Sequence, residues 1–384
     1  GAFGGAFVCV LPMGFVIRRF GVHKTMTVLG TLGALTVAAS PFSLVWNYGF
    51  FVFLRCINGL TFSVLFTVAG SVCNEWAPLN ERGIFIAVLT GHVEVAALFT
   101  MPSGAFLSSS LGWPYTFWIH GTLLLISTIL WTLLYRDKPC EHPFVTVQEA
   151  ETIAFGKKEQ PAKVEIPYRA IFTSPVILAS WFAVIGTFFV SQFTISWCPV
   201  YLNHVLHFAP SITGVVSVIP LLFQLVIKIF TGLMSDKITC IDEVMKMRLF
   251  NTIALIGCAV FFSIATVVTP APNFLDSFLA LAPVALLGFH AGGFPKCLVM
   301  VSRQYSSFIM SVVQMVACAS MLAGSFVVPL MTPNNTFEEW RGVFILYAVL
   351  TTLSNSVFVM FARSKPGSWT ESSRRKIYPA DSEA

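Results

Sequence analysis

The sequence predicts an all-α, polytopic membrane protein built as two parallel helix bundles. Three observations carry this. Charged residues make up 11% and hydrophobic residues 56% of the 384, with a mean hydropathy of +0.78, whereas soluble domains carry about 25% charged residues. The apolar residues gather into eleven runs of spanning length, and only helices and closed barrels satisfy their backbone in lipid. Local signatures also recur at nearly constant offset. Gly14-Phe15-Val16-Ile17-Arg18-Arg19 closes the first run, and Gly232-Leu233-Met234-Ser235-Asp236-Lys237 closes the seventh, 218 residues on. Trp113-x-x-x-Phe117 opens the fifth run and Trp340-x-x-x-Phe344 the eleventh, 227 residues on.

In order, the runs are 2–17, 25–46, 48–73, 83–108, 114–135, 174–199, 210–234, 249–269, 276–300, 306–331 and 342–362. The segments between them are short and polar or proline-rich, except for a charged linker after the fifth. There Thr146-Val147-Gln148-Glu149 reads as a capping box opening a short helix. The expected organisation is a bundle over 1–136, a linker over 137–173, a second bundle over 174–363 and a tail over 364–384. The polar tail, with Arg374-Arg375-Lys376, is expected to be disordered. The first bundle holds five runs and the second six, so matching them requires one more helix before residue 1.

Charge gives the orientation. Nineteen of the 23 lysines and arginines fall in loops that lie on one side if the spans alternate. The opposite loops hold only Arg341, and Arg55, Lys228 and Lys296 lie within runs. Positive charge marks the cytoplasmic side, so linker and tail are expected there. The net charge of +5 then reflects topology and gives no support for nucleic-acid binding. The nine cysteines are scattered, most in apolar runs, with no CxxC pair or disulfide framework. They read as small apolar fillers. No phosphate-cradling loop, zinc-ligand spacing or nucleophile triad is present in the sequence, so neither an enzyme nor a cofactor is expected.

The central stretch is Phe51–Arg82, an apolar run interrupted by Arg55 and ending in Trp76-Ala77-Pro78-Leu79-Asn80-Glu81-Arg82. Together with Arg55-x-x-x-Gly59-Leu60, Met101-Pro102, Gly112-Trp113, the Pro-x-Tyr at 199–201 and Glu339-Trp340, this stretch carries a resemblance. The chain is similar to the major facilitator superfamily. Within it, the chain resembles the anion–cation symporters of solute carrier family 17, the sialin, vesicular glutamate and sodium-phosphate transporters. Gly288-Phe289 through Ser302-Arg303-Gln304-Tyr305 looks like the nematode variant. The resemblance implies alternating access around a midplane site and a small organic anion or phosphate as substrate. It also implies H+ or Na+ as coupling ion, and a plasma, vesicle or lysosome membrane as location. Three positions depart from it. Arg18 stands where the superfamily loop has Asp, Phe62 where the family has a Glu implicated in proton coupling, and Thr187 near an arginine of the glutamate transporters. A non-transporting receptor or scaffold, or a facilitator of neutral polyols or sugars, is the alternative reading.

Six polar residues inside the spans carry the chemistry. Arg55 lies about 7 residues, or roughly 10 Å, below the outer end of its helix. It reads as the anion-attracting group, since a guanidinium holds carboxylate or phosphate with a forked donor set; a snorkelling or clamping arginine is the bland alternative. Glu94 is the only acidic residue deep in a span, and it reads either as an ion-coupling group or as a hydrogen-bonded structural carboxyl. His120 reads as cavity-lining or interfacial, Lys296 likewise, and Gln314 as a weaker substrate contact. Lys228 is expected to snorkel to the cytoplasmic face. Gly14, Arg19, Gly21, Gly232, Asp236 and Lys237 would form the cytoplasmic gate.

Overall fold

The computed structural model describes residues 2–78, 81–155, 166–208, 213, 216–268 and 274–370. They form helices joined by short turns, with no strand among the described residues. The N-terminal helices are Ala2–Phe20, Val22–Trp46, Tyr48–Ser63 continuing as Leu65–Trp76, Arg82–Thr90 continuing as His92–Ser110, and Trp113–Leu134. The C-terminal helices are Pro175–Gln192 continuing as Cys198–His204, Ile219–Lys237, Glu243–Ala265, Phe274–Leu286 continuing as Phe294–Ser302, Ser306–Met331 and Phe337–Phe361. Ten runs among the described residues are long and apolar enough to cross a membrane; one of them, Leu281–Met331, contains parts of two of the expected spans. Part of the expected 210–234 span lies outside the described residues, and its helix runs on to Lys237.

Among the described residues, four spans have a joint described on both sides. The Arg55 helix is jointed at Val64, and the Glu94 helix at Gly91, whose N–H is shared between the Ala87 and Val88 carbonyls. A π-turn, Phe193–Trp197, interrupts the Pro175 helix, and a 3-10 turn, Leu287–Gly292, separates Phe274–Leu286 from Phe294–Ser302. Such joints are tolerated within a membrane where neighbouring helices satisfy the freed backbone groups.

Within the N-terminal set, Ala2–Phe20 packs on Tyr48–Ser63, and Val22–Trp46 on Trp113–Leu134. Lipid supplies little hydrophobic drive between helices, so close approach through small residues does the work. A Cβ at Gly59 would collide with the Ala2 carbonyl and the Ala6 amide. The C-terminal set packs around an aromatic core of Phe193, Phe262, Trp340, Phe344 and Tyr347, all fully buried. The two sets meet along two seams. Ala2–Phe20 and Leu65–Trp76 pack against Ser306–Met331, and Arg82–Thr90 packs against Ile219–Lys237.

The linker helix is Val147–Ala154, and the Thr146 side chain accepts from the Glu149 amide as its expected cap, at 3.2 Å. The tail departs from expectation over its described part. Gly367 N–H donates to the Val301 carbonyl at 3.0 Å, Gln304 donates to the Thr370 carbonyl at 3.0 Å, and Trp369 is buried. Those bonds hold residues up to 370 against the C-terminal helices, and residues 371–384, with the Arg374-Arg375-Lys376 run, lie outside the described ones.

Candidate functional site

Three polar layers lie between or beside the two helix sets. The first holds Arg55. Its guanidinium carbon sits 5.0 Å from the Phe51 ring centroid and 5.1 Å from that of Phe117. Phe51 precedes it by one turn, and Phe117 comes from Trp113–Leu134. No acidic side chain among the described residues pairs with Arg55, so two ring faces are its cation partners. His120 lies in the same N-terminal set and bonds the Ser103 hydroxyl at 2.9 Å, beside the Phe99 ring.

The second layer joins the two sets at depth. Lys228 Nζ donates to Glu94 Oε1 at 2.6 Å, and Gln224 Nε2 donates to the same oxygen at 2.7 Å. The Lys228 and Glu94 side chains are each 3% exposed. Lys228 also reaches the Thr90 carbonyl at 3.4 Å. Gln224 and Lys228 are four apart on one helix, as Thr90 and Glu94 are on the other, so each pair shares a face. Lys228 therefore corrects the expectation of a snorkelling lysine. Its depth pointed to the partner: Lys228 is nine residues before Lys237 and Glu94 twelve after Arg82. At about 1.5 Å rise, the two lie within about 5 Å in depth. Gln224 carried no comparable signal.

On the other seam, Gln314 is fully buried and accepts from the Phe66 amide at 3.2 Å while its Nε2 points to Cys318 Sγ. Thr67 donates to Ser311 at 2.9 Å, and Ser71 and Ser307 hydroxyls meet at 3.0 Å. Gly14 lies against Ser311 on the same seam.

The third layer closes the end that carries the basic loops. Asp236 accepts from the amides of Gly83 at 3.1 Å and Ile84 at 2.9 Å. These N–H groups open the Arg82–Thr90 helix and have no partner within it, and the helix dipole favours a carboxylate there. Gly232 makes room: a Cβ there would stand 2.9 Å from the Gly83 carbonyl and 2.7 Å from the Ala87 Cβ. Lys296, read from the sequence as cavity-lining or interfacial, belongs to this layer. It donates to Ser235 O at 3.0 Å, Ser235 Oγ at 2.8 Å and Asp236 Oδ1 at 3.1 Å, and pairs with Glu243 at 3.3 Å. Lys246, which sequence reasoning missed, binds Glu243 and the Ser235 and Ile238 carbonyls.

The gate residues therefore divide. Gly14, Gly232 and Asp236 stand where the two helix sets meet. Gly21 has φ +84° and packs within the N-terminal set, where Asp137 caps the following helix through the His23 amide at 2.9 Å. Arg19 and Lys237 are exposed. Arg19 covers the Phe20 ring, 5.6 Å from its centroid, and neither side chain bonds across the seam among the described residues.

The sequence profile of the Major Facilitator Superfamily matches residues 1–325. Human sialin is 24% identical over 380 residues, covering 96% of this chain and 75% of sialin. The uncharacterized transporter slc-17.3 of Caenorhabditis elegans is 25% identical, covering 97% and 71%. The sodium-dependent phosphate transport protein 1 of Oryctolagus cuniculus is 24% identical, covering 96% and 80%. In three dimensions the chain matches the proton:xylose symporter XylE of E. coli, with a TM-score of 0.73 at 14% identity over 95% of this chain and 85% of that one. It also matches a bacterial homologue of the iron transporter ferroportin in its outward-facing state, with a TM-score of 0.62 at 16% identity over 94% and 88%. The chain belongs to the Major Facilitator Superfamily, and among its members it is similar to the transporters of solute carrier family 17.

Proposed function

We propose that the protein is a secondary active transporter of a small organic anion or inorganic phosphate, coupled to H+ or Na+ and working by alternating access. The observation that carries this is Arg55. It lies well inside a membrane-spanning helix, meets the ring faces of Phe51 and Phe117, and among the described residues pairs with no carboxylate, whereas Lys228 and Lys296 are each held by one. An arginine kept in a membrane without an acidic partner is costly, and an arriving anion offsets that cost. The relatives named as a vesicular glutamate transporter and a sodium-dependent phosphate transport protein, with sialin beside them, favour the same substrate class.

In this reading the moving bodies are 1–136 and 174–363, joined by the linker 137–173, with the tail 364–384. The basic loops face the cytoplasm, in a plasma, vesicle or lysosome membrane. Asp236 on the amides of Gly83 and Ile84 is the cytoplasmic gate, with Gly14 and Gly232 allowing the close approach that closes it. Glu94 serves ion coupling. His120 and Gln314 are assigned to the walls of the substrate path.

The test is uptake of radiolabelled phosphate, glutamate and sialate into proteoliposomes, with an imposed pH or sodium gradient and without one. Gradient-dependent uptake of at least one anion is expected, lost in Arg55→Ala. Uptake that ignores both the gradient and Arg55 would point instead to a neutral-solute facilitator. No uptake by well-folded protein would point to a receptor or scaffold.

A further inference from the structure

The buried Glu94–Lys228 pair has two features that a purely structural clamp does not need. Both partners of Glu94 converge on one oxygen, Oε1, while Oε2 is buried with no partner. The Lys228 ammonium carries three N–H groups, of which Glu94 takes one and the Thr90 carbonyl, at a long 3.4 Å, another. One member thus has an open proton site and the other an open donor, and the two members come from opposite helix sets. Among the described residues, two histidines flank the pair, and a third, His120 on Trp113–Leu134 packed on the Glu94 helix, is bonded to Ser103. His92 precedes Glu94 by two residues, with Nδ1 at the Leu89 carbonyl and Nε2 unpartnered. His290, from the Leu287–Gly292 turn packed on the Lys228 helix, turns Nδ1 to the Leu287 carbonyl. Neither hydrogen-bonds the pair. Phe274–Leu286, also packed on that helix, carries one ionisable residue, Asp276, and Arg82 lies about 18 Å from Glu94 along its helix.

We propose that Lys228 is a ligand for the transported anion, kept closed by Glu94, and that the anion can take Lys228 only when a proton takes Glu94. The argument is charge balance. A net charge buried among helices is expensive, whereas a compensated pair is tolerated. Glu94 carboxylate with Lys228 ammonium is neutral. Protonated Glu94, Lys228 ammonium and one anionic oxygen together are neutral as well. An anion added without a proton, or a proton added without an anion, leaves one uncompensated charge. The proton comes from water and bonds to Oε2. Oε1 becomes the carbonyl oxygen of the acid and keeps its hydrogen bond from Gln224, and the anion replaces the carboxylate at Nζ. The exchange takes up one proton for each monoanion held. It supplies a coupling carboxyl in a chain that has Phe62 where the similar family has its Glu. It rests on the anion-transport reading above and assigns a site within it.

The experiment uses the purified full chain with phosphate, glutamate and sialate as probes, the proton uptake and the pH dependence being read with glutamate and sialate because phosphate itself titrates near neutral pH. Proton uptake on anion addition is followed with a pH-indicator dye, and affinity by radioligand binding at several pH values. Wild type is expected to take up about one proton for each monoanion bound. Glu94→Gln should bind the anion without proton uptake and with affinity independent of pH. Lys228→Gln should weaken binding at least about tenfold, the loss of a charge-assisted hydrogen bond. Either single variant strands a buried partner, so the doubly neutral E94Q/K228Q protein serves where a single variant fails to fold. It should bind weakly and with no proton uptake. Proton uptake persisting in Glu94→Gln or in the double variant, or wild-type affinity in either protein lacking Lys228, overturns the exchange while leaving anion transport standing. Wild type that neither binds nor transports any of the anions overturns the transport reading, and the exchange with it.

Discussion

At the scale of single residues, the Glu94–Lys228 pair sets the largest energetic stakes. With side chains only 3% exposed, each ion has given up water for the other. Removing one partner leaves an uncompensated charge, which costs about 3–5 kcal/mol, while removing both charges together is far cheaper. Lys228→Gln is therefore expected to lower the detergent-solubilised melting temperature strongly, and E94Q/K228Q to recover most of the loss. A thermal-unfolding double-mutant cycle measures this coupling; additive losses would mean that the two residues do not stabilise each other. The same pair shows what one sequence leaves illegible. Arg55 and Glu94 stand out by their charge in apolar runs. Lys228 looks harmless because the path to its own helix end is short, and a snorkelling estimate counts only that path. Its partner lies 134 residues away, on a helix whose rotation depends on packing that no local pattern encodes. Lys296 stays between two readings in the sequence for the same reason, since its partners Ser235 and Asp236 lie about 60 residues away.

At the scale of elements, the repeated Trp-x-x-x-Phe signature shows how far pattern reaches. In both copies the rings meet one helical turn apart, Trp113 with Phe117 at 6.1 Å and Trp340 with Phe344 at 6.3 Å. Spacing alone dictates that contact. Burial is a different matter: Trp113 is 41% exposed and Trp340 fully buried. Phe117 turns to the Arg55 guanidinium, whereas Phe344 joins Phe193, Tyr201 and Phe262 in the C-terminal core. Trp340→Ala should thus cost about 3–5 kcal/mol, the range for a large aromatic removed from a packed core. Trp113→Ala should move the melting temperature little. Equal losses would show that Trp113 is buried by something other than its own bundle. Span existence was legible because a run of apolar residues is a local property. The joints at Val64, Gly91, Phe193–Trp197 and Leu287–Gly292 were not, because the groups that compensate a broken helical ladder come from neighbouring helices.

At the scale of the whole molecule, the two helix sets are held by contacts of different strength. The end with the basic loops is fastened by Asp236 on two amides and by Lys296 behind it. Beside it, the Leu65–Trp76 seam is joined by hydroxyl pairs, Thr67 with Ser311 and Ser71 with Ser307. Hydroxyl contacts are worth about 1 kcal/mol each net, so this seam can part in a working cycle. A rocking mechanism requires that it part. Ser71 and Ser307 hydroxyls lie 3.0 Å apart, and a disulfide needs the two sulfurs at about 2.0 Å, a small adjustment between side chains already facing each other. The S71C/S307C protein is therefore expected to cross-link under mild oxidation. Cross-linking should stop gradient-driven anion uptake, and reduction should restore it, while wild type under the same oxidant keeps its uptake. If the cross-linked protein transports at the wild-type rate, this seam does not open during transport, and the two helix sets do not move as the rocking mechanism requires.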